Sequence, residues 1–310
     1  MKELIHKTFH RSCELSELLR DIGFSVVVTQ LTNGVLLGQL KFLSSGGISF
    51  LQIESNQALQ MYGECKPQLI TFAIESSMNR EYSHHQGEKL PLKCIAGYRS
   101  KKDHIMCAVS PGSSMFYILI PSISFQGFAH QLSGERLLNL MNNTNALRIN
   151  DPSFLNIITY CKQNLIHTPN SMQCTENTHD CMLLMHDILA SNSVTTKIQS
   201  PSDRTLVKDF IKLALSNELE YPITINDLSK NLFTSKTNLS SQIKKSTGLS
   251  PMNFIKCVRL EQVRSDLIRS EGHASIGDVA SKYGFTSRGH FARDYQQLFG
   301  ERPTDTLSHF

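Results

Sequence analysis

Residues 275–303, SIGDVASKYGFTSRGHFARDYQQLFGERP, decide how the end of this chain folds. Residues 278–283 are short and helical in pattern, with Ile276, Val279 and Ala280 turned to one side. Gly284 supplies the positive φ that a sharp reversal needs. Thr286 and Ser287 offer N-cap hydroxyls to a second helix. In that helix Phe291, Tyr295, Leu298 and Phe299 fall at i, i+4, i+7 and i+8 and form one apolar face. Gly300 ends it, and Pro303 prevents its return. A short helix, a glycine turn and a second helix with a basic outer face make a helix-turn-helix pattern.

The pattern occurs once before. Ile225-Asn226-Asp227-Leu228-Ser229 lies 51 positions ahead of Ile276-Gly277-Asp278-Val279-Ala280 (276 − 225). Past the turn the offset becomes 52: Ser235 matches Ser287, Leu239 matches Phe291, Ile243 matches Tyr295, Gly248 matches Gly300 and Pro251 matches Pro303. The second turn is therefore one residue longer. A helix through Phe254, Val258 and Leu267 joins the two units into one domain of ordinary size.

Over this last third the chain resembles the DNA-binding domain of the AraC/XylS family of bacterial transcription regulators. The residues that carry the resemblance are Thr247-Gly248-Leu249-Ser250-Pro251, Arg259-Leu260, Val279-Ala280, Tyr283-Gly284-Phe285, His290-Phe291, Phe299-Gly300 and Pro303. Within the family, residues 294–299 and Arg259-Leu260 with Val263-Arg264 look most like the ethanolamine-utilisation regulators. Three positions depart from the family pattern. Ser229 replaces a small Ala, Phe233 stands where the first turn often has Gly, and Ile243 replaces a frequent aromatic. The second departure implies a looser first turn.

At 310 residues with 40% hydrophobic content, the chain is long enough for two domains with real cores. It holds no run of 18 apolar residues and no apolar signal-peptide core among residues 1–20, so the expectation is a cytoplasmic protein that does not span a membrane. The eight cysteines form no CxxC pair and read as reduced thiols. The net charge of +4 is concentrated. Residues 204–310 hold 15 Lys/Arg against 11 Asp/Glu, whereas residues 1–203 hold 16 of each. Basic side chains that neutralise phosphates dominate DNA affinity and make it salt-sensitive.

The fold class read from the chain is α+β. Residues 1–190 form a sensor and dimerisation domain, with a lead-in helix to about residue 22, sheet over 24–125 and helices over 133–190. The strands expected are 26–28, 35–43, 48–53, 69–74, 105–109 and 115–120, short and β-branched or alternating, with Ser44-Ser45-Gly46-Gly47 as a hairpin turn. Residues 191–203 are a polar linker. Residues 204–310 are an all-α domain with units at 223–248 and 275–300. By analogy with the family, the N-terminal domain is a cupin-like barrel that binds an effector, and the helices after it carry a homodimer contact.

A recognition helix lies in the major groove with its N-terminal outward residues at the base edges. Rotation away from the apolar face turns Gly289, His290, Arg293 and Gln297 outward, with Arg288 at the entry. In the first unit Thr237, Asn238, Ser241 and Lys245 point out, with Lys236 at the entry. Thr234, Ser235 and Thr286, with Ser287 beside the last, stand where a hydroxyl or backbone N–H meets a phosphate. Arginine grips guanine O6 and N7 with two bonds, and Gln suits adenine. The two helices are expected in successive major grooves, about 34 Å apart. The partners expected are promoter DNA, RNA polymerase and a small-molecule effector.

No catalytic residue, cofactor or metal is expected. Cys174, His179, Cys181, Met182, Met185 and His186 lie close in sequence, but match no closed zinc spacing and read as core or dimer contact. His84, His85 and His104 lack the cupin histidine spacing. Tyr82, Tyr98 and Arg99 could line a ligand pocket or sit exposed in loops. An interaction protein without DNA binding is the runner-up, against which Lys236, Arg288 and Arg293 argue. A DNA-alkyl repair protein with an AraC-type domain needs a Pro-Cys-His-Arg-like nucleophile motif that this chain lacks.

Overall fold

The computed structural model describes residues 4–64, 68–77, 79–98, 104–144, 146–166, 173–191, 201–216, 219 and 221–308. The start departs from the expected lead-in helix. Ile5–Phe9 is a strand, β1, and helix α1 is confined to Ser12–Asp21. The cause is a pairing partner far along the chain. β1 runs antiparallel to β3 (Gly38–Ser45), with Phe9 opposite Gly38 and its ring fully buried. A Cβ on residue 38 would collide with that ring, so the glycine admits the strand.

Two antiparallel sheets follow. The larger takes the order β1-β3-β4-β11-β6-β9-β12, built with β4 (Ile48–Ser55), β6 (Leu69–Glu75), β9 (Cys94–Ala96), β11 (Ser113–Pro121) and β12 (Ala146–Arg148). The smaller is β2-β5-β10-β7-β8, from β2 (Val26–Gln30), β5 (Leu59–Glu64), β7 (His84–His85), β8 (Glu88–Lys89) and β10 (His104–Val109). Val35 and Leu37 lie ahead of β3 rather than in it, half exposed in the loop that leaves β2.

The large sheet is buried on both faces. Along β11, Met115 and Leu119 face the small sheet with Leu51, Met61 and Val109, while Phe116, Ile118 and Ile120 face the other way. That second face is covered by α2 (Ser122–Ser133), α3 (Glu135–Asn143), α4 (Asp151–Ile166) and α5 (Gln173–Ser191). The helices thus begin at residue 122, earlier than expected. Phe125 belongs to α2 and fills the core rather than closing the sheet. Inside this domain Arg80 donates to the carboxylate of Glu75, and both are buried.

The middle of the expected linker, residues 192–200, lies outside the described residues. Helix α6 (Pro201–Leu215) starts within the expected linker, its proline at the first helical position, where an N–H has no intrahelical acceptor to lose. The rest is helical: α7 (Ile225–Asn231), α8 (Lys236–Thr247), α9 (Pro251–Arg269), α10 (Ile276–Lys282), α11 (Arg288–Phe299) and α12 (Pro303–Ser308). Phe254, Ile255 and Val258 of α9 pack into the core of the first unit, and Leu260, Val263 and Leu267 into that of the second.

Candidate nucleic-acid interface

The two helix-turn-helix units are built alike. α8 follows α7 and α11 follows α10, and each second helix ends on a left-handed glycine, Gly248 (φ 77) and Gly300 (φ 72). Ser235 caps α8 by accepting from the Asn238 N–H at 3.1 Å. Ser287 holds the equivalent position before α11, but its hydroxyl makes no capping bond, so the first-turn N–H groups of α11 are left without that acceptor.

The turns share a conformation. Gly284 has φ 76, and a Cβ there would collide with Tyr221 and with the Arg259 guanidinium. Arg259 is stacked over Tyr221 and Phe285 at 4.1 and 4.5 Å. Phe233, the counterpart of Gly284, adopts the same left-handed backbone at φ 50. The first turn is therefore not the looser one its sequence implied. The non-glycine residue is held in the strained region, and its side chain is 97% exposed. Ser229 is buried and bonds back to the Asn226 carbonyl at 2.8 Å, and Ile243, which replaces the family's frequent aromatic, is fully buried.

Each second helix buries one face and leaves the other in water. Leu239 and Ile243 are buried in the first unit, and Phe291, Tyr295, Leu298 and Phe299 in the second. The Tyr295 hydroxyl meets Thr306 at 2.7 Å. Outward, Lys236, Thr237, Asn238, Ser241 and Lys245 are exposed on α8, and Arg288, Gly289, His290, Arg293 and Gln297 on α11. Ser235, Thr286 and Ser287 are exposed at the turns, and Thr234 is half-buried with its hydroxyl receiving the Asn238 amide at 3.0 Å. Lys256 holds Asp294 at 3.1 Å, fixing α11 to α9, and Arg264 holds Glu301, just past the end of α11, at 2.7 Å.

Sequence reasoning missed a basic residue beside this face. Arg302 joins Arg288 and Arg293 around an open groove that also takes in Ser281 of α10 and its N-cap Ser275. Its only sequence signal is a charge placed between the terminating Gly300 and Pro303.

Sequence reasoning also missed how the N-terminal domain holds the C-terminal end of each of these helices. On α11, the Gln30 amide donates to the Leu298 carbonyl at 2.7 Å, the Gly34 N–H reaches the carbonyls of Gln297 and Leu298 at 3.1 Å, and Val35 packs on Gly300. On α8, Ser246 donates to the Gly87 carbonyl at 2.8 Å and Tyr82 packs on Gly248. Between these two grips, Glu261 of α9 accepts from the Ser12 hydroxyl at 2.6 Å and from the Gln30 N–H at 3.0 Å. Burial pushes the Glu261 carboxyl above the ordinary range, against the pull of Arg264 and those two donors. Leu31, Ala58, Tyr62, Met106 and Ala108 share one apolar core with α6–α9.

A cavity of about 70 Å³ lies between the two sheets, lined mostly by apolar side chains, with Thr71, His84, His85, Gln86 and Tyr117 as polar exceptions. Its wall includes Val26 of β2 and residues 84–86. The other candidate sites resolve into packing. Tyr98 is buried with its hydroxyl on Thr144 at 2.8 Å, Tyr82 belongs to the domain contact, and Arg99 lies outside the described residues. Cys181 and Met185 are fully buried, and His186 bonds to Ser133 and Asp187 at 2.6 and 3.0 Å. His179 meets Phe128 edge to face, while the side chain of Cys174 lies outside the described residues. Among the described residues no three His, Cys, Asp or Glu side chains converge as a metal site, and no helix is long and apolar enough to cross a membrane.

Two helix-turn-helix units sharing α9, each with a polar second helix turned to solvent, define a tandem helix-turn-helix domain, a DNA-binding class. Residues 228–309 match the family model described as a helix-turn-helix domain. The chain is 37% identical over 95 residues to the XylDLEGF operon transcriptional activator 2 of Pseudomonas putida, covering 30% of this chain and 60% of that one. It is 25% identical over 132 residues to the probable thc operon regulatory protein of Rhodococcus erythropolis, covering 41% and 39%. It is 33% identical to the solved probable AraC family transcriptional regulator from Rhodopseudomonas palustris, covering 36% and 97% with a TM-score of 0.29. The matches span less than two thirds of either curated relative. The C-terminal domain is thus a helix-turn-helix domain of AraC/XylS type.

Proposed function

We propose that this protein is a sequence-specific transcription regulator, an activator, whose N-terminal domain senses a small molecule or a protein partner. The observation that carries the reading is the repeat itself. Two helices, each ended by a left-handed glycine and packed on one shared helix, both leave their N-terminal outward side chains free of the core. On this reading Arg288, Arg293 and His290 of α11 and Thr237, Asn238 and Ser241 of α8 read base edges. Thr234, Ser235, Lys236, Thr286 and Ser287 meet phosphates, joined by Arg302. The first-turn N–H groups of α11, lacking a side-chain cap, suit a phosphate oxygen. Lys245, Gln297 and Gly289 complete the face.

Regulation follows from where the cavity sits. Its wall at residues 84–86 lies between Tyr82 and Gly87, which hold the end of α8. Its wall at Val26 belongs to β2, which ends at Gln30 on α11. A small apolar occupant that fits one arrangement of these strands better than another changes the hold on both helices, and differential affinity is the only way a ligand can do so. Contact with RNA polymerase, assembly as a homodimer and a cytoplasmic location belong to the same reading.

The test is DNA binding by the full chain. A duplex enriched by the wild-type protein from a random pool is titrated against Arg288→Ala and Arg293→Ala. Each change weakens specific binding by about 1–3 kcal/mol, as expected for a bidentate base contact, with thermal unfolding unaltered. Unchanged affinity in both would remove α11 as the reading helix.

A further inference from the structure

The turn between α7 and α8 carries a residue that the fold does not use. Phe233 is 97% exposed, belongs to neither helix and packs into none of the apolar cores among the described residues. It also occupies the left-handed region at φ 50, where a bulky side chain is an outlier. Gly284, its counterpart in the second unit, shows that the turn closes equally well without a side chain. At Gly284 a side chain is excluded by Tyr221 and Arg259, whereas at residue 233 the space is open. Strain and full exposure of an aromatic ring combine at one position with no return inside the molecule.

Its neighbours say where the return comes from. Phe233 is followed directly by Thr234, Ser235 and Lys236, which carry the turn into the first turn of α8. The turn is tied to both helices: the Thr234 N–H reaches the Ser229 carbonyl of α7 at 2.9 Å, and Asn238 of α8 donates to the Thr234 hydroxyl. The ring therefore stands at the edge of the face proposed to meet DNA, next to residues assigned to phosphates. The apolar surfaces that DNA offers at that edge are the deoxyribose rings and, in the major groove, the thymine C5-methyl group, a recognised partner of Phe.

We propose that Phe233 is an apolar specificity contact of the first helix-turn-helix unit, packing on a thymine methyl and its sugar beside the phosphates held by Thr234, Ser235 and Lys236. It rests on the reading of this domain as a DNA binder. It goes beyond that reading by giving the turn, and not only the recognition helix, a part in choosing sequence.

The experiment compares the wild-type full chain with Phe233→Gly and Phe233→Ala on the duplex that the wild-type protein enriches from a random pool, without polymerase. Both variants are expected to unfold no earlier than wild type, since the ring makes no internal contact, and to bind about tenfold more weakly. Replacing single thymines by uracil removes one methyl at a time. One such position is expected to weaken wild type several-fold while leaving Phe233→Gly unchanged. Equal affinity of wild type and Phe233→Gly overturns the proposal. If activated transcription with polymerase then falls in the variant, the ring belongs to a protein contact instead. Failure of the wild-type chain to enrich any duplex would strike the DNA-binding reading itself, a different result from wild-type enrichment with a silent Phe233 change.

Discussion

At the scale of the residue, one backbone conformation serves two different ends. Gly284 and Phe233 hold the same left-handed turn, but only Gly284 is walled in. Gly284→Ala combines a left-handed non-glycine residue, about 1–2 kcal/mol, with overpacking against Tyr221, about 1–3 kcal/mol. A loss of roughly 3 kcal/mol is expected in denaturant unfolding of the full chain. A loss below about 0.5 kcal/mol would show that Tyr221 and Arg259 yield freely and that the turn is not packed as described. Gly284 was legible from its place after an apolar helical run. The strain at Phe233 was not, because sequence shows which residue stands in a turn but not which φ the tertiary structure imposes on it.

At the scale of the element, α8 and α11 were readable for a physical reason. Each buries a single face, so the 3.6-residue period survives in the sequence, and the glycines at their C-terminal ends mark the stops. β11 was read as a strand but not as a wall between two cores, since Phe116 and Leu119 are equally buried on opposite faces and no polar alternation separates them. β5 escaped notice because Gln60 is buried within it, bonding to the Cys107 carbonyl at 3.0 Å, and breaks the apolar pattern. β1 was read as helix because its pairing with β3 is remote in sequence. The proposed division of labour along the recognition face predicts two kinds of mutant. Lys236→Ala, on a phosphate, should weaken binding to all sequences alike and reduce the slope of log affinity against log salt by about 1. Arg293→Ala, on a base edge, should relax preference at one position. Titrations at several salt concentrations on specific and unrelated duplexes distinguish them, and a sequence-selective effect of Lys236→Ala would reverse its assignment.

At the scale of the whole molecule, Glu261 joins the domains with its carboxyl raised by burial. A carboxyl whose folded-state pKa is raised favours the native arrangement when protonated, and that contribution fades as pH climbs through the raised value. Glu261→Gln keeps the hydrogen-bonding shape, since its carbonyl accepts from Gln30 and its amide donates to the Ser12 hydroxyl, and removes the titration. The melting temperature of the variant relative to wild type should therefore rise as pH goes from about 5 to about 7. A gap independent of pH would show that Glu261 is solvated and does not couple the domains through its charge. The docking of the domains was invisible in the sequence because its partners, Gln30 with Leu298 and Ser246 with Gly87, carry no shared periodicity.

Because one body grips the ends of both recognition helices, the chain behaves as a gauge with a single setting. Genomes vary promoters by inserting and deleting bases as well as by substituting them. Each base pair added between the two subsites moves one of them about 3.4 Å along the duplex and turns it about the axis, while the gauge stays as it is. A substitution can be absorbed by one side chain at a time, but a change of spacing asks the two units to part from α9, which both of their cores share, as well as from the N-terminal domain. On the proposed reading, the length of the gap in the operator is the slowest letter to change.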